Sequence, residues 1–324
     1  MKIFLTGASS FIGRALIPLL IKQKHKVTCA FRKKTDDRND FFPAGCSFWF
    51  FDTLDGKTDF RQALGNVDVI IHLAALVHIN KRLADSLQRE FMRVNVDGTR
   101  NLAEQAAQKK VKRFVFISSI GVNGKSTNDC NLFNEDDEEK PYDAYTASKI
   151  EAEKALRKLE VKTGLEVVII RPPLVYGPGV KANFLKMLDL INTGLPLPFA
   201  GVNNRRSFIA VDNLVDVIAE CAVHEKAAGE TFFVGDDTLL STPQLIEKIS
   251  LALGFKPRLF FFPSLFFKYM LTLMRRQDMY ESLWGNMAVD SRKIQDRLGW
   301  RPGMTTDEGI RKTVHWYLEK KGVE

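Results

Sequence analysis

Tyr145 and Lys149 stand four residues apart in the stretch "YTASK". On a helix that spacing places both on one face. A lysine ammonium beside a phenol favours the phenolate and lowers the tyrosine pKa. Such a tyrosine can exchange a proton with a carbonyl or an alcohol near neutral pH. The pair alone is more often a solvated helix face, so its value depends on what lies upstream. There, "FVFISSIGVNG" reads as an apolar strand ending in Ser118 and Ser119. The carboxyl edge of such strands is where α/β folds place ligands. Ser119 is therefore expected to hold a substrate oxygen beside Tyr145; the bland alternative is a small residue after a strand.

A second chemical signal is "FLTGASSFIG", Phe4 to Gly13. A dinucleotide fingerprint carries glycines at a first, a middle and a last position. Gly7 and Gly13 fill the outer two, and Ser10 stands at the middle. A strand precedes the turn, and Phe11 and Ile12 open a helix whose free N–H groups and dipole suit a pyrophosphate. Ser10 is small enough for the backbone to approach phosphate, and its hydroxyl can donate to one. The next strand ends "CAFRKK". An NAD site usually has an acidic residue there to hold the adenosine ribose. Phe31 takes that position, followed by Arg32, Lys33 and Lys34, which read either as an exposed basic turn or as a 2′-phosphate site. Asp52, after the third strand, is placed to meet the adenine amino group, or is a strand-end turn residue.

These residues need a scaffold, and the first half supplies one. Apolar runs ("KIFLT", "KVTCAF", "CSFWFF", "VDVIIHLA", "RFVFISS", "EVVIIR") alternate with helices expected over Ile12–Lys24, Leu83–Gln108 and Ala144–Lys162. That pattern predicts an α/β fold with a doubly wound parallel sheet covered on both faces. After Arg171, Pro and Gly become frequent and the elements shorter, as in a smaller mixed α/β region that builds a cleft over the sheet. The 324 residues suffice for one large or two modest domains. The acidic run Asn134–Lys140 reads as a solvated loop.

The net charge of +8 is spread along the chain, and no basic helix or aromatic-basic module points to nucleic acid. Four cysteines form no close pair in sequence, which predicts a reducing, cytoplasmic setting without structural zinc. No histidine pair has metal spacing, and Lys2–Leu5 already reads as a strand rather than a signal peptide. The segment Leu259–Met274, "LFFFPSLFFKYMLTLM", falls short of the roughly 20 apolar residues that span a bilayer. The favoured expectation is a strand and helix in the C-terminal core. The alternative is an apolar face making weak peripheral contact with the inner face of the membrane.

Taken jointly, "TGASSFIG", "HLAA", "NVDGTRNL", "FISS", "YTASK", "RPPLVYGPG", "RRSFIAVDNLVD" and "LGWRP" resemble the extended short-chain dehydrogenase/reductases, the epimerases, dehydratases and reductases of sugar nucleotides. The resemblance covers nearly the whole chain. It implies a Rossmann-type domain over 1–171, with about 205–235 returning to it, and a nucleotide-sugar domain mainly over 172–324. It implies a Ser119–Tyr145–Lys149 triad, with Lys149 on the nicotinamide ribose. Leu73, Ala74, Ala75 and Pro172 join the cofactor site, and Asn123, Asn183 and Arg206 the substrate site. The helices near 83–108 and 144–162 match those that pair in family homodimers. The 4,6-dehydratases carry Thr-Asp-Glu where this chain has Ser119-Ile120-Gly121, so elimination of water is not expected. The segments "SSIGVNG" and "NNRRSFIAVDNLVD" look most like the branch that reduces UDP-4-keto-6-deoxy-N-acetylhexosamines for bacterial surface polysaccharide, and Phe31 with Arg32 at the end of the second strand favours NADP(H) as the cofactor. The alternative is a UDP-hexose 4-epimerase with tightly bound NAD; a non-catalytic nucleotide-binding protein is the remaining reading.

Overall fold

The computed structural model describes residues 1–32, 45–77, 84–127, 131–273 and 277–322. The first strand, β1 (Lys2–Thr6), is buried on both sides from Ile3 to Leu5, as a central parallel strand must be. Its alternation sends Ile3 and Leu5 into one hydrophobic layer and Phe4 into the other. Helix α1 (Phe11–Lys22) follows, then β2 (Lys26–Arg32), β3 (Cys46–Phe51), β4 (Val69–His72), α2 (Ala84–Phe91), α3 (Gly98–Gln108), β5 (Arg113–Ile117), α4 (Ala144–Thr163) and β6 (Glu166–Arg171).

With β9 (Thr231–Phe233), these strands form a seven-stranded sheet in the order β3-β2-β1-β4-β5-β6-β9, parallel throughout. The chain steps outward from β1 to β3 and then returns to β4 on the other side of β1. That reversal opens a crevice at the carboxyl ends of the central strands, where ligands of such sheets bind. The doubly wound α/β architecture is therefore the one expected from the alternating apolar runs.

The smaller lobe joins β7 (Leu174–Tyr176) and β8 (Phe208–Ala210) in a two-stranded sheet with α5 (Ala182–Asn192), α7 (Thr242–Ala252) and α11 (Thr306–Lys321). Phe184, Leu188, Phe199, Ile246, Val314 and Tyr317 share its core. Helix α6 (Val211–Val223) crosses back to pack Leu214 and Ile218 against Leu16 and Leu20 of α1. Ile294 and Leu298 of α10 (Arg292–Leu298) and Trp300 join the same layer, a second return that the sequence reading does not include.

Three local features go beyond the sequence reading. The helix expected as one piece up to Gln108 is broken at Met92–Asp97 by a wider π-type turn, which holds Asn95 in the interior. Cys29 and Cys46, distant in sequence, meet because β2 pairs with β3. Both remain free thiols, pushed up in pKa chiefly by burial. Finally, the apolar segment is not simply core. Phe267 and Leu271 of α8 (Ser264–Leu273) face inward, whereas Phe261, Leu265, Phe266, Tyr269 and Leu273 are exposed. The helix is apolar around most of its circumference, and the lobe offers only one surface to bury it against.

Candidate active site and cofactor groove

A groove of about 730 Å³ runs along the sheet's carboxyl edge. Its floor begins at Gly7, whose φ of 72° lies in the left-handed region and whose added Cβ would stand 2.7 Å from Ala74 N. A Cβ on Gly13 would lie 2.4 Å from Gly7 O, so α1 approaches the turn as closely as backbone allows. Ser10 caps α1: its Oγ accepts from Gly13 N at 3.0 Å. That leaves the amides of Phe11 and Ile12 in the first turn, where no preceding carbonyl can accept them. The hydroxyl proton of Ser10 is still available to a phosphate.

Of the expected cofactor residues, Gly7, Ser10, Phe11, Ile12, Arg32, Asp52, Leu73, Ala74, Ala75 and Pro172 line this one groove. Gly13 packs directly beneath it, and Lys33 lies outside the described residues. The cradle left by two side-chain-free positions, the helix N-terminus above it, and the buried, unpartnered Ser118 Oγ beside it together fit a dinucleotide.

Ser119, Tyr145 and Lys149 line the same groove. Each is placed by its element. Ser119 follows β5, where the ladder stops at Ile117 and a short 3₁₀ turn begins; its Oγ caps that turn by accepting from Gly121 N at 3.2 Å. Tyr145 and Lys149 sit on the first two turns of α4, which is started by a capping box between Asp143 and Thr146. Lys149 is fully buried, donates from Nζ to Ile117 O at 2.6 Å, and stands 4.0 Å over the Phe116 ring.

Burial pushes the Lys149 ammonium down to about 7, partly opposed by the Glu153 carboxylate one turn along. Tyr145 is pushed up, first by burial and then by Asp143 and Tyr142. The lowering of the phenol expected from Lys149 is not among the causes that act on Tyr145, which burial and two neighbours push the other way.

Asn183 and Arg206 come together in a second cavity of about 670 Å³, walled by Phe184, Met187, Leu197 and Phe199. Leu174 borders both spaces, so the two adjoin. Arg206 donates Nη1 to Gly285 O at 2.9 Å, and burial lowers its pKa. Asn123 does not face either space. Its Oδ1 accepts from Arg171 Nη1 at 3.0 Å and its Nδ2 donates to Asp137 O at 3.1 Å. Arg171 in turn grips Glu153 through Nε and Nη2. In this structure Asn123 is a buried strut beneath the loop that follows Ser119, and the substrate contact expected of it is not among the linings of the two cavities.

Two contributors escaped the sequence reading. Arg93 lines the groove and pairs with Asp55 at 3.1 Å and Glu90 at 2.8 Å. Asn95 fastens the groove wall: its Oδ1 accepts from Leu76 N, and its Nδ2 donates to Leu76 O and to Ser148 Oγ on α4. Asn95 is visible in "NVDGTRNL", but its inward aim depends on the π-type turn. Among the described residues, no group of three or more His, Cys, Asp or Glu could hold a metal ion.

The profile of the NAD dependent epimerase/dehydratase family matches residues 3–235. A UDP-glucose 4-epimerase of Vibrio cholerae is 38% identical over 98% of this chain and 96% of its own. A dTDP-glucose 4,6-dehydratase of Neisseria meningitidis serogroup B is 28% identical over 99% of this chain and 94% of its own. Among solved structures, UDP-glucuronic acid 4-epimerase from Bacillus cereus in complex with NAD superposes with a TM-score of 0.77 at 20% identity, covering 100% of this chain and 99% of that one.

Proposed function

This chain belongs to the NAD-dependent epimerase/dehydratase family, and from that premise we propose that it is an oxidoreductase acting at C4 of a UDP-linked hexose, most simply a UDP-hexose 4-epimerase that retains NAD. The observation that carries this reading is that Ser119, Tyr145 and Lys149 share one groove with the glycine turn. The 38% identity to a UDP-glucose 4-epimerase supports the same substrate class.

The residues divide the work. Gly7 to Ile12 would hold the pyrophosphate, Asp52 the adenine, and Lys149 the nicotinamide ribose; when bound, the nicotinamide supplies hydride exchange at the sugar carbon. Tyr145 takes the proton from the C4 oxygen and returns it. Ser119 orients that oxygen. Asn183 and Arg206 would receive the diphosphate, a role for which the planar Arg fork is suited. Dehydration does not fit, although a dehydratase is among the relatives. Ile120 brings no acid, and a Cβ on Gly121 would meet Thr146 Cγ2 at 2.8 Å, so a carboxylate has no room there. The test is to incubate purified protein with UDP-glucose or UDP-N-acetylglucosamine, no cofactor added, and follow the C4 epimer by NMR. Interconversion supports the epimerase; none in either direction rejects it.

One observation favours a second reading, reduction of a UDP-linked 4-keto-6-deoxy-N-acetylhexosamine with NADPH. At the end of β2, Phe31 can neither accept from ribose hydroxyls nor repel a 2′-phosphate, and Arg32 lines the groove beside it. One charge-assisted contact is worth about 1.5–3 kcal/mol. NADPH is then expected to exceed NADH by at least about tenfold in kcat/KM, and Arg32→Ala should erase most of that margin with little loss of NADH turnover. Initial rates with both cofactors on a 4-keto sugar nucleotide decide the point, and equal rates for the unaltered protein would remove the 2′-phosphate site.

Assembly is expected to be a homodimer through α2, α3 and α4, since twofold pairs are the commonest oligomer. The outward faces offer charges of both signs, Arg100 and Glu104 on α3 and Glu151 and Lys154 on α4. Light scattering should give twice the chain mass of 36.8 kDa; a monomer mass at micromolar concentration would contradict it.

A further inference from the structure

We propose that the smaller lobe docks on an anionic lipid bilayer through the face built by Phe260, Phe261 and the outer side of α8. The inference goes beyond the catalytic reading and does not depend on it.

Leu265, Tyr269 and Leu273 recur every four residues on α8 and form one stripe, with Phe266 beside it. They are 80%, 66%, 76% and 54% exposed in that order, and Phe261 is 71% exposed. The inner side of the same helix is also apolar, through Phe267 and Leu271. A helix apolar on both sides needs a second apolar phase on the outside. The face is held firmly. Leu259 pairs with Leu197, Ala200 N donates to Phe260 O at 3.2 Å, and the Phe261 ring rests against Gly201, where a Cβ would lie 2.8 Å away. The Phe267 ring lies tilted against Trp284, 4.5 Å between centroids, and Trp284 packs on Phe199 of the second cavity.

Charge identifies the occupant. From Lys256 to Leu273 the chain carries three Lys or Arg and no Asp or Glu. Lys256, Arg258 and Lys268 are exposed. A second copy laid on this face by a twofold axis would oppose like charges, and lysine is depleted from protein interface cores. A bilayer with anionic headgroups accepts both the rings and the cations. No helix among the described residues is long and apolar enough to cross a membrane. Ten residues of helix reach only about 15 Å, so α8 lies in the interfacial plane. The Leu197–Phe199 wall then carries the second cavity toward the lipid surface.

The test is sedimentation of the full chain with vesicles of phosphatidylcholine, with and without phosphatidylglycerol, at low and high salt. The protein should pellet with the anionic vesicles, and high salt should weaken it. The triple variant Phe261→Ser/Leu265→Ser/Tyr269→Ser should lose about a hundredfold in partitioning, since three large apolar side chains leave the lipid. Lys256→Glu/Lys268→Glu, which alters only exposed surface and so remains informative if the triple variant fails to fold, should lose about tenfold or more on anionic vesicles. The proposal is overturned if the unaltered protein stays in the supernatant, or if the charge variant binds as well as it does. It is equally overturned if the triple variant lowers the oligomer mass while the unaltered protein ignores vesicles, since a second copy would then be the occupant.

Discussion

Tyr145→Phe should lower kcat by about 10² or more while leaving cofactor affinity nearly unchanged, the usual scale for losing a general acid–base. The substitution removes one oxygen and its proton. It leaves the ring, whose edge contact with Phe91 at 6.2 Å between centroids needs no hydroxyl. Tyr145 makes no contribution to the glycine turn, so the dinucleotide should bind as before. The measurement pairs initial rates with a titration of NAD or NADPH followed by protein fluorescence. Near-normal turnover would take Tyr145 out of the mechanism; lost cofactor binding would mean that the groove depends on the phenol structurally.

Lys149→Met should abolish most activity yet make the protein without cofactor harder to unfold at low pH. The sign follows from the direction of the shift. The folded pKa of about 7 lies below the ordinary lysine value of 10.5, so the native state binds this proton more weakly than the unfolded chain does. Stability carries that penalty below about pH 7 and recovers it as pH rises toward 10.5. Each unit of displacement is about 1.36 kcal/mol. The full penalty is therefore several kcal/mol. It is offset by about 1–3 kcal/mol when Ile117 O loses its donor. Methionine has nearly the same reach and no charge. A net gain of about 2 kcal/mol corresponds to a rise in Tm of roughly 4 °C at pH 6, shrinking toward zero or below by pH 10. A lower Tm at pH 6, or a difference independent of pH, would show that the buried ammonium carries no such penalty. Charging the buried His72, lowered to about 3 by burial and then by Lys149, should lower stability in both proteins at acid pH. The comparison is thus best kept at pH 6 and above.

How much of this is legible in the sequence depends on distance along the chain. β1, β5 and β6 are continuous apolar runs, and a strand buried on both faces can look like nothing else between a turn and a helix. The glycine turn and the Tyr145–Lys149 spacing are equally local. What escapes is what pairing brings from afar. Cys29 and Cys46 meet only through β2–β3 register. Asn123 is claimed by Arg171, and an asparagine's alternatives at the end of a strand cannot be ranked without knowing that partner. The inward aim of Asn95 within the π-type turn at Met92–Asp97 is fixed by partners distant along the chain, Leu76 and Ser148. The exposed side of α8 is the same problem in reverse: hydrophobicity marks a surface that seeks cover, not which cover it finds.

The far edge of the sheet sets an order of events during synthesis. β9 pairs Thr231, Phe232 and Phe233 with Ile169, Ile170 and Arg171, and one face is completed only by Ile294, Leu298 and Trp300. While the ribosome has made the first half alone, β6 carries an open ladder beside apolar side chains, the kind of edge that recruits other chains. The two lobes therefore cannot mature as beads on a string. That face of the sheet is completed only once residues near 300 are in place, and a fragment cut after β6 would carry an open edge.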